Sequence, residues 1–270
     1  MTLRVGFIGL GDIGEPMAAC VLAGGYQVTS CAHRRREAIE RLKKKGMEEV
    51  DAPDQVGKRS DVLITMVRDD EETDRVLRGD NGALSNLEPG SVIVIMSTIS
   101  PGYCQSFAAE AEKQGVNVLD CPVSGGPTRA EQGALALICG GPSDVIDHCR
   151  PTLETMGTLH NCGSIGMGQV AKLANQGMLI GNVRLVDEAR LLASSYGLDL
   201  KTIMAVLAQS TGTSWALENW DYIASAWPHV KPLAEKDLKL CLAAAYDKKA
   251  PMPLTEARAT LAWDIESQSH

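Results

Sequence analysis

The chain opens on a strand, a glycine turn and a helix in immediate succession. Val5-Gly6-Phe7-Ile8-Gly9-Leu10-Gly11-Asp12-Ile13-Gly14-Glu15-Pro16-Met17 passes from a short apolar β-type run into glycines spaced G-x-G-x-x-G, then into a helical pattern that begins with Pro16. Each glycine has its own duty. Gly9 permits the tight turn after the strand, Gly11 lets the backbone come close to a pyrophosphate, and Gly14 lets the helix pack against the strand. The helix that follows points its first N–H groups and the positive end of its dipole at the phosphates. A ligand-free glycine turn is the competing reading. The order strand, glycines, helix at the very start of the chain favours a dinucleotide.

Hydrophobic patterning extends this beginning into a fold. Up to about Cys162, short apolar strands alternate with amphipathic stretches. Arg4–Ile8, Gln27–Cys31, Val62–Val67, Ser91–Met96, Val116–Asp120, Leu135–Cys139 and Thr158–Cys162 read as strands. Between them, Arg35–Lys45, Glu71–Leu77, Pro101–Lys113 and Ser143–Thr155 read as helices. Such alternation predicts a mostly parallel, doubly wound sheet with helices on both faces, an α/β architecture of Rossmann type. Beyond Gly163-Ser164-Ile165-Gly166 the strand signal ends. One long helix is predicted over Gly168–Tyr196, followed by helices at Leu200–Ala208, Glu235–Asp247 and Pro253–Ser267. The expected domains are therefore 1–164, binding the dinucleotide, and 165–270, all-α and joined through the long helix.

Charge and cysteine usage narrow the partners. With 26 Lys and Arg against 34 Asp and Glu, the formal net charge of −8 disfavours nucleic acid and anionic membrane surfaces. No stretch is apolar for long enough to span a bilayer, and the N-terminus lacks a signal-peptide layout. Eight cysteines include no C-x-x-C pair, and Cys20, Cys31, Cys121 and Cys139 lie in or beside apolar runs. They read as buried reduced thiols in a cytoplasmic protein, with no metal site expected at His148-Cys149 or His160-x-Cys162.

The second strand speaks to the choice of nicotinamide cofactor. An acidic residue about twenty positions after the glycine motif normally holds the ribose 2′-hydroxyl of NAD. Here Ser30-Cys31-Ala32-His33-Arg34-Arg35-Arg36 has no acid before Glu37. A carboxylate would repel a 2′-phosphate, whereas this cluster attracts one, and Arg34 can bind it bidentately and stack on the adenine. A solvated basic helix start is the alternative, although cations there oppose the helix dipole. NADP is expected over NAD, with His33, Arg34 and Arg35 as its contacts.

Two further motifs carry chemistry. Asp120-Cys121-Pro122-Val123-Ser124-Gly125-Gly126-Pro127 follows a predicted strand, and its small residues suit either an anion-accepting concavity or a plain turn. The second is Gly163-x-x-Gly166-x-Gly168-Gln169-x-x-Lys172-x-x-Asn175-Gln176, at the start of the long helix. Offsets of three and four place Lys172, Asn175 and Gln176 on one face, within reach of one ligand.

Together with the N-terminal motif and Glu235-Lys236-Asp237-Leu238, these stretches resemble the β-hydroxyacid dehydrogenases, over nearly the whole chain. That group includes 3-hydroxyisobutyrate dehydrogenases, tartronate semialdehyde reductases and glyoxylate/succinic semialdehyde reductases. The resemblance implies that Ser124, Gly125 and Gly126 hold a substrate carboxylate, that Lys172 is the acid/base, and that Asn175 orients substrate. It places Thr98 beside the nicotinamide ribose and substrate. It assigns the cofactor to Gly9, Leu10, Gly11, Asp12, Ile13, Gly14, Met66, Val67, Thr98 and Lys236, with Lys236 and Asp237 approaching the cofactor or closing the cleft. Gln176 stands where Asn is usual and His229 where related reductases carry an aromatic, so both are candidates to touch substrate; Ile13 replaces the usual Met. Trp215, Trp220 and Trp227 are either substrate-measuring side chains or core.

An unperturbed lysine titrates at about 10.4, so desolvation beside the nicotinamide is expected to bring Lys172 toward working pH. The phosphogluconate dehydrogenase branch resembles K-x-x-H-N-G-I-E; Asn175 and Leu179 replace its His and Glu, which disfavours decarboxylation. Imine reductases resemble this family with the Lys replaced, and a non-catalytic NADP-binding module would also lose it. Lys172 argues against both. The long helix carries Met178, Leu179, Val183, Val186, Leu191 and Leu192 around much of its circumference, which points to a homodimer or homotetramer. The family usually continues with another helical segment past the equivalent of Ser267, so a more open or partner-closed cleft is expected if these residues are the whole protein.

Overall fold

The computed structural model describes residues 3–32, 36–260 and 265. The chain begins β1 (Arg4–Ile8), α1 (Gly14–Ala23), β2 (Gln27–Cys31), α2 (Arg36–Lys43), β3 (Glu48–Val50), α3 (Pro53–Gly57), β4 (Val62–Thr65) and α4 (Asp70–Arg78). It continues with β5 (Val92–Ile95), α5 (Pro101–Ala111), β6 (Asn117–Asp120), β7 (Val123–Ser124), α6 (Gly126–Glu131), β8 (Leu135–Cys139), α7 (Ser143–Leu153) and β9 (Gly157–Asn161). Then come α8 (Met167–Ser195), α9 (Leu200–Ala208), α10 (Trp215–Glu218), α11 (Trp220–Asp247) and α12 (Pro253–Thr260). By compactness the chain forms two units, residues 1–172 and 173–270. The start of α8, Met167 to Lys172, thus belongs to the first unit and the rest of that helix to the second.

In the first unit, six parallel strands lie in the order β3-β2-β1-β4-β5-β6. The order reverses between β1 and β4, where a Rossmann sheet opens its ligand crevice at the carboxyl ends of the strands. Side-chain alternation builds a core on each face. Phe7, Val62, Ile64, Val92 and Val94 pack with α1 and α7 residues such as Met17, Val21 and Ile146 on one side. Ile8, Leu63, Ile93 and Ile95 pack with Cys104 and Phe107 of α5 on the other. Each such side chain, fully buried, contributes about 1.5–3 kcal/mol.

Beside the parallel sheet that the alternation predicts lies a second, smaller one. β7, β8 and β9 form a separate three-stranded sheet, antiparallel at β7/β8 and parallel at β8/β9. An isolated antiparallel bridge, Asp120 to Gly140, ties it to the edge of the large sheet.

The second unit is helical, as expected, around Val183, Val186, Ala216, Leu217, Trp220, Ile223 and Trp227. Two of the tryptophans offered as substrate contacts, Trp220 and Trp227, are therefore core, and the Arg190 guanidinium lies 4.7 Å from the Trp220 ring centre. Trp215 is exposed. The helix predicted at Glu235–Asp247 begins far earlier, at Trp220, and runs through Pro228 and Pro232. Both prolines are exposed, on the side of the helix where a missing N–H costs least. Among the described residues, no helix is long and apolar enough to cross a membrane.

Candidate active site

The glycine turn is shaped as its spacing implies. Gly9 has φ +103°, and a side chain there would overlap the Met66 carbonyl at the end of β4. At Gly14 a Cβ would run into the Gly9 carbonyl oxygen, so α1 packs against the turn only because Gly14 has none. Gly11 is the opposite case: among the described residues, nothing lies within 4 Å of its Cβ position. That open approach, at the start of a helix with no side-chain cap, leaves backbone N–H groups for a pyrophosphate. A dinucleotide fits this cradle.

Beyond the turn, the strand-end loops are joined by hydrogen bonds. The Val67 N–H donates to Ser97 Oγ at 3.0 Å, linking the loop after β4 to the loop after β5. The Ser97 carbonyl accepts from Gln169 Nε2 at 2.8 Å, and the Ile99 N–H donates to Gln169 Oε1 at 3.1 Å. The two ends of one buried amide thus hold the backbone on either side of Thr98. One turn further along α8 stands Lys172, 7 % exposed, which is unusual for a lysine.

Asp120 closes the same region from the other side. Its Oδ1 accepts from the Gly166 N–H at 2.6 Å and its Oδ2 from the Gln169 N–H at 2.7 Å, so the carboxylate caps α8. Burial pushes its carboxyl up to about 7, against these N–H bonds, which pull it down. Next along the chain, Ser124 ends β7, half-buried, and Gly125 and Gly126 follow with φ of +139° and +70°. Two successive left-handed glycines turn the chain sharply into α6 at the place where carboxylate capture is expected.

The second unit brings together another group. Asn175 Nδ2 donates to Gln176 Oε1 at 3.1 Å, Gln176 Nε2 donates to Asp237 Oδ2 at 2.7 Å, and Lys236 Nζ lies 3.0 Å from Asp237 Oδ1. Gln176, expected at the substrate, has its amide engaged by Asn175 and Asp237. His229 is exposed on α11. His33, Arg34 and Arg35 lie outside the described residues. Arg36, last of the basic cluster, pairs with Glu49 of β3 and with Glu40 at 3.0 Å.

Two residues with a clear structural part, Asp120 and Gln169, were quoted in the sequence motifs without a role. Their signal was faint: a carboxylate at a strand end and a glutamine among helix glycines. Ser97 gave none.

The cradle fits a dinucleotide, and comparison with known proteins shows the class: an oxidoreductase that uses a nicotinamide cofactor. Residues 4–168 match the family profile described as "NAD binding domain of 6-phosphogluconate dehydrogenase". Residues 166–269 match "NAD-binding of NADP-dependent 3-hydroxyisobutyrate dehydrogenase". The chain belongs to the β-hydroxyacid dehydrogenase family. A 3-hydroxyisobutyrate dehydrogenase of Pseudomonas aeruginosa is 34% identical, covering 93% of this chain and 88% of the relative. An L-threonate dehydrogenase of Cupriavidus necator is 31% identical, covering 95% and 88%. The solved structure of Mycobacterium tuberculosis 3-hydroxyisobutyrate dehydrogenase with L-serine superposes with a TM-score of 0.83 at 29% identity, covering 96% of this chain and 92% of that one.

Proposed function

We propose that this β-hydroxyacid dehydrogenase uses NADP and acts on a small 3-hydroxy acid or its semialdehyde, with Lys172 as the acid/base. The observation that carries the reading is Lys172 itself: a buried lysine, one helical turn from the amide that grips both sides of Thr98. When bound, the nicotinamide takes or gives the hydride at C4. Lys172 Nζ accepts the hydroxyl proton as the alcohol is oxidised and returns it to the carbonyl oxygen in reduction. Ser124 and the N–H groups of Gly125 and Gly126 hold the carboxylate, and Asn175 orients the reacting hydroxyl. The bonds through Gln176 to Asp237 favour a role for Gln176 in aiming Asn175.

Gly9 to Gly14 cradle the pyrophosphate, and Met66, Val67, Thr98 and Lys236 line the rest of the cofactor. The absence of an acid at the end of β2, with His33, Arg34 and Arg35 in its place, supports the 2′-phosphate of NADP. Eight free thiols suit a cytoplasmic location. The relatives above act, by name, on hydroxy acids, which supports the substrate class.

Assembly through the second unit completes the proposal. Met178, Leu185, Leu192, Tyr196 and Leu198 are exposed on and just after α8, and the spacing of seven puts Met178, Leu185 and Leu192 along one side of the helix. A homodimer or homotetramer covers it. The test of function is a spectrophotometric screen of NADPH and NADP against glyoxylate, succinic semialdehyde, methylmalonate and tartronate semialdehydes and the matching hydroxy acids. Oxidation of NADPH by at least one semialdehyde is expected; silence across the panel in both directions would overturn the reading.

A further inference from the structure

Asp120 and Gln169 are wholly buried and polar, and between them they engage the backbone on either side of Thr98, the end of β8 and the first turn of the helix that carries Lys172. The backbone of Asp120 exchanges both bonds with Gly140, its N–H donating at 3.1 Å and its carbonyl accepting at 2.7 Å, which fixes the end of β6 to the end of β8. Its side chain fixes the same point to the first turn of α8 through Gly166 and Gln169. The packing leaves no slack. A Cβ at Gly140 would stand 2.6 Å from Asp120 Oδ1, and one at Gly168 would stand 2.8 Å from Oδ2.

A helix start can be capped by an exposed Ser or Thr at little cost, whereas a buried carboxylate is expensive to desolvate. A carboxylate here achieves something a hydroxyl does not: two oxygens satisfy two N–H groups at once and hold the turn against rotation. Gln169, fixed by that carboxylate through its N–H, then uses both ends of its own amide on Ser97 and Ile99. Ser97 Oγ passes the connection to Val67, beside the Met66 carbonyl that packs on Gly9.

We propose that Asp120 and Gln169 are positioning residues for the reaction, which together set where Lys172 stands relative to Thr98 and to the Ser124–Gly126 turn. The inference rests on the hydride-transfer reading above. Misplacing a reacting group by about 1 Å costs on the order of 10² in rate, so loosening the first turn of α8 lowers kcat even though neither residue touches substrate.

The test uses the full-length protein with NADP and 3-hydroxyisobutyrate, comparing wild type, Gln169→Leu, Gln169→Glu, Asp120→Asn and Lys172→Ala. Gln169→Leu removes both side-chain bonds; Gln169→Glu keeps the acceptor for Ile99 but loses the donor to Ser97. We expect kcat to fall by about 10- to 100-fold in Gln169→Leu and Asp120→Asn, less in Gln169→Glu, with the KM for NADP changed less than about twofold. Amide hydrogen exchange should rise in 97–99 and 166–169 and stay unchanged in β1 and α1. A merely structural role would instead lower the unfolding midpoint with no graded loss of kcat. Lys172→Ala at wild-type turnover overturns the reading on which the inference stands. An inactive Lys172→Ala beside Gln169→Leu at wild-type kcat overturns the positioning role alone, as does a fall in kcat with no local change in exchange.

Discussion

The first unit adds close backbone contacts to its two side-chain cores, the second relies on one smaller core, and the two leave different surfaces behind. In the first, glycines 9, 14, 140 and 168 bring backbone and strand ends into direct contact, and the buried Asp120 and Gln169 bond to main-chain groups. Both faces of its sheet carry a core of fully buried side chains. In the second, a smaller core and a side-chain relay from Asn175 to Lys236 do the work. Among the described residues, twelve of the thirteen large apolar side chains that stay exposed lie beyond Lys172. Close backbone contacts can fix a reacting group, whereas helices that expose apolar side chains are expected to be covered by a second copy.

The strongest way to break this contrast is Lys172→Ala. If the first unit fixes the proton-transfer group, kcat should fall by about 10² to 10⁴ while cofactor affinity, which depends on the glycine turn, stays nearly constant. Cofactor titration by fluorescence and steady-state turnover measure both. Near wild-type turnover would move the chemistry elsewhere.

The buried carboxylate of the first unit also predicts how stability depends on pH. Asp120 titrates at 3.8 in an unperturbed chain and at about 7 in the fold. Between those values the folded state binds a proton that the unfolded state lacks, so this group's contribution is full below the lower value and is lost as pH rises through the upper one. The expected loss is a few kcal/mol at most. Urea unfolding at about pH 5 and about pH 7.5 should show wild type losing stability more steeply than Asp120→Asn. Parallel slopes would mean that the carboxyl titrates normally in the fold.

How much of this was visible in the sequence follows from the range of the interactions. The strands β1, β2 and β8 and the helix α8 were legible because their signals are local: apolar runs, glycine punctuation and a long helical period. The separation of β7, β8 and β9 into their own sheet was not, since a strand's pattern says nothing of which neighbour it pairs with. Pro228 and Pro232 hid the first half of α11, because a solvent-facing proline and a helix break look alike in one dimension. For the site, Gly9, Gly11 and Gly14 could be given separate duties from spacing alone. Asp120 could not, as its partners lie 46 and 49 residues away.

Cofactor choice tests the edge of the first unit with a smaller effect. Arg34→Ala should raise the KM for NADPH by about 10- to 100-fold through loss of charge-assisted bonds, with far less change for NADH. Arg36→Ala supplies the contrast, because Arg36 is already paired with Glu49 and Glu40. It should leave the ratio of the two KM values unchanged. Equal shifts with both cofactors in Arg34→Ala would reduce the cluster to a solvated helix start.

The smallest change in stability is expected where the second unit is bare, and it sharpens the comparison most directly. Met178 and Leu192, 70 % and 64 % exposed on α8, contribute little to the fold of a single chain, so Met178→Ser with Leu192→Ser should alter its unfolding free energy by no more than about 0.5 kcal/mol each. If a second copy covers this face, the same pair should shift light scattering at micromolar protein from dimer or larger toward monomer, and activity should fall on dilution. Lys113→Ser, exposed on the first unit, should leave the mass unchanged. A wild-type protein that is monomeric and fully active would show that these apolar side chains stay in water, and the contrast between a self-sufficient unit and one made to be covered would fail.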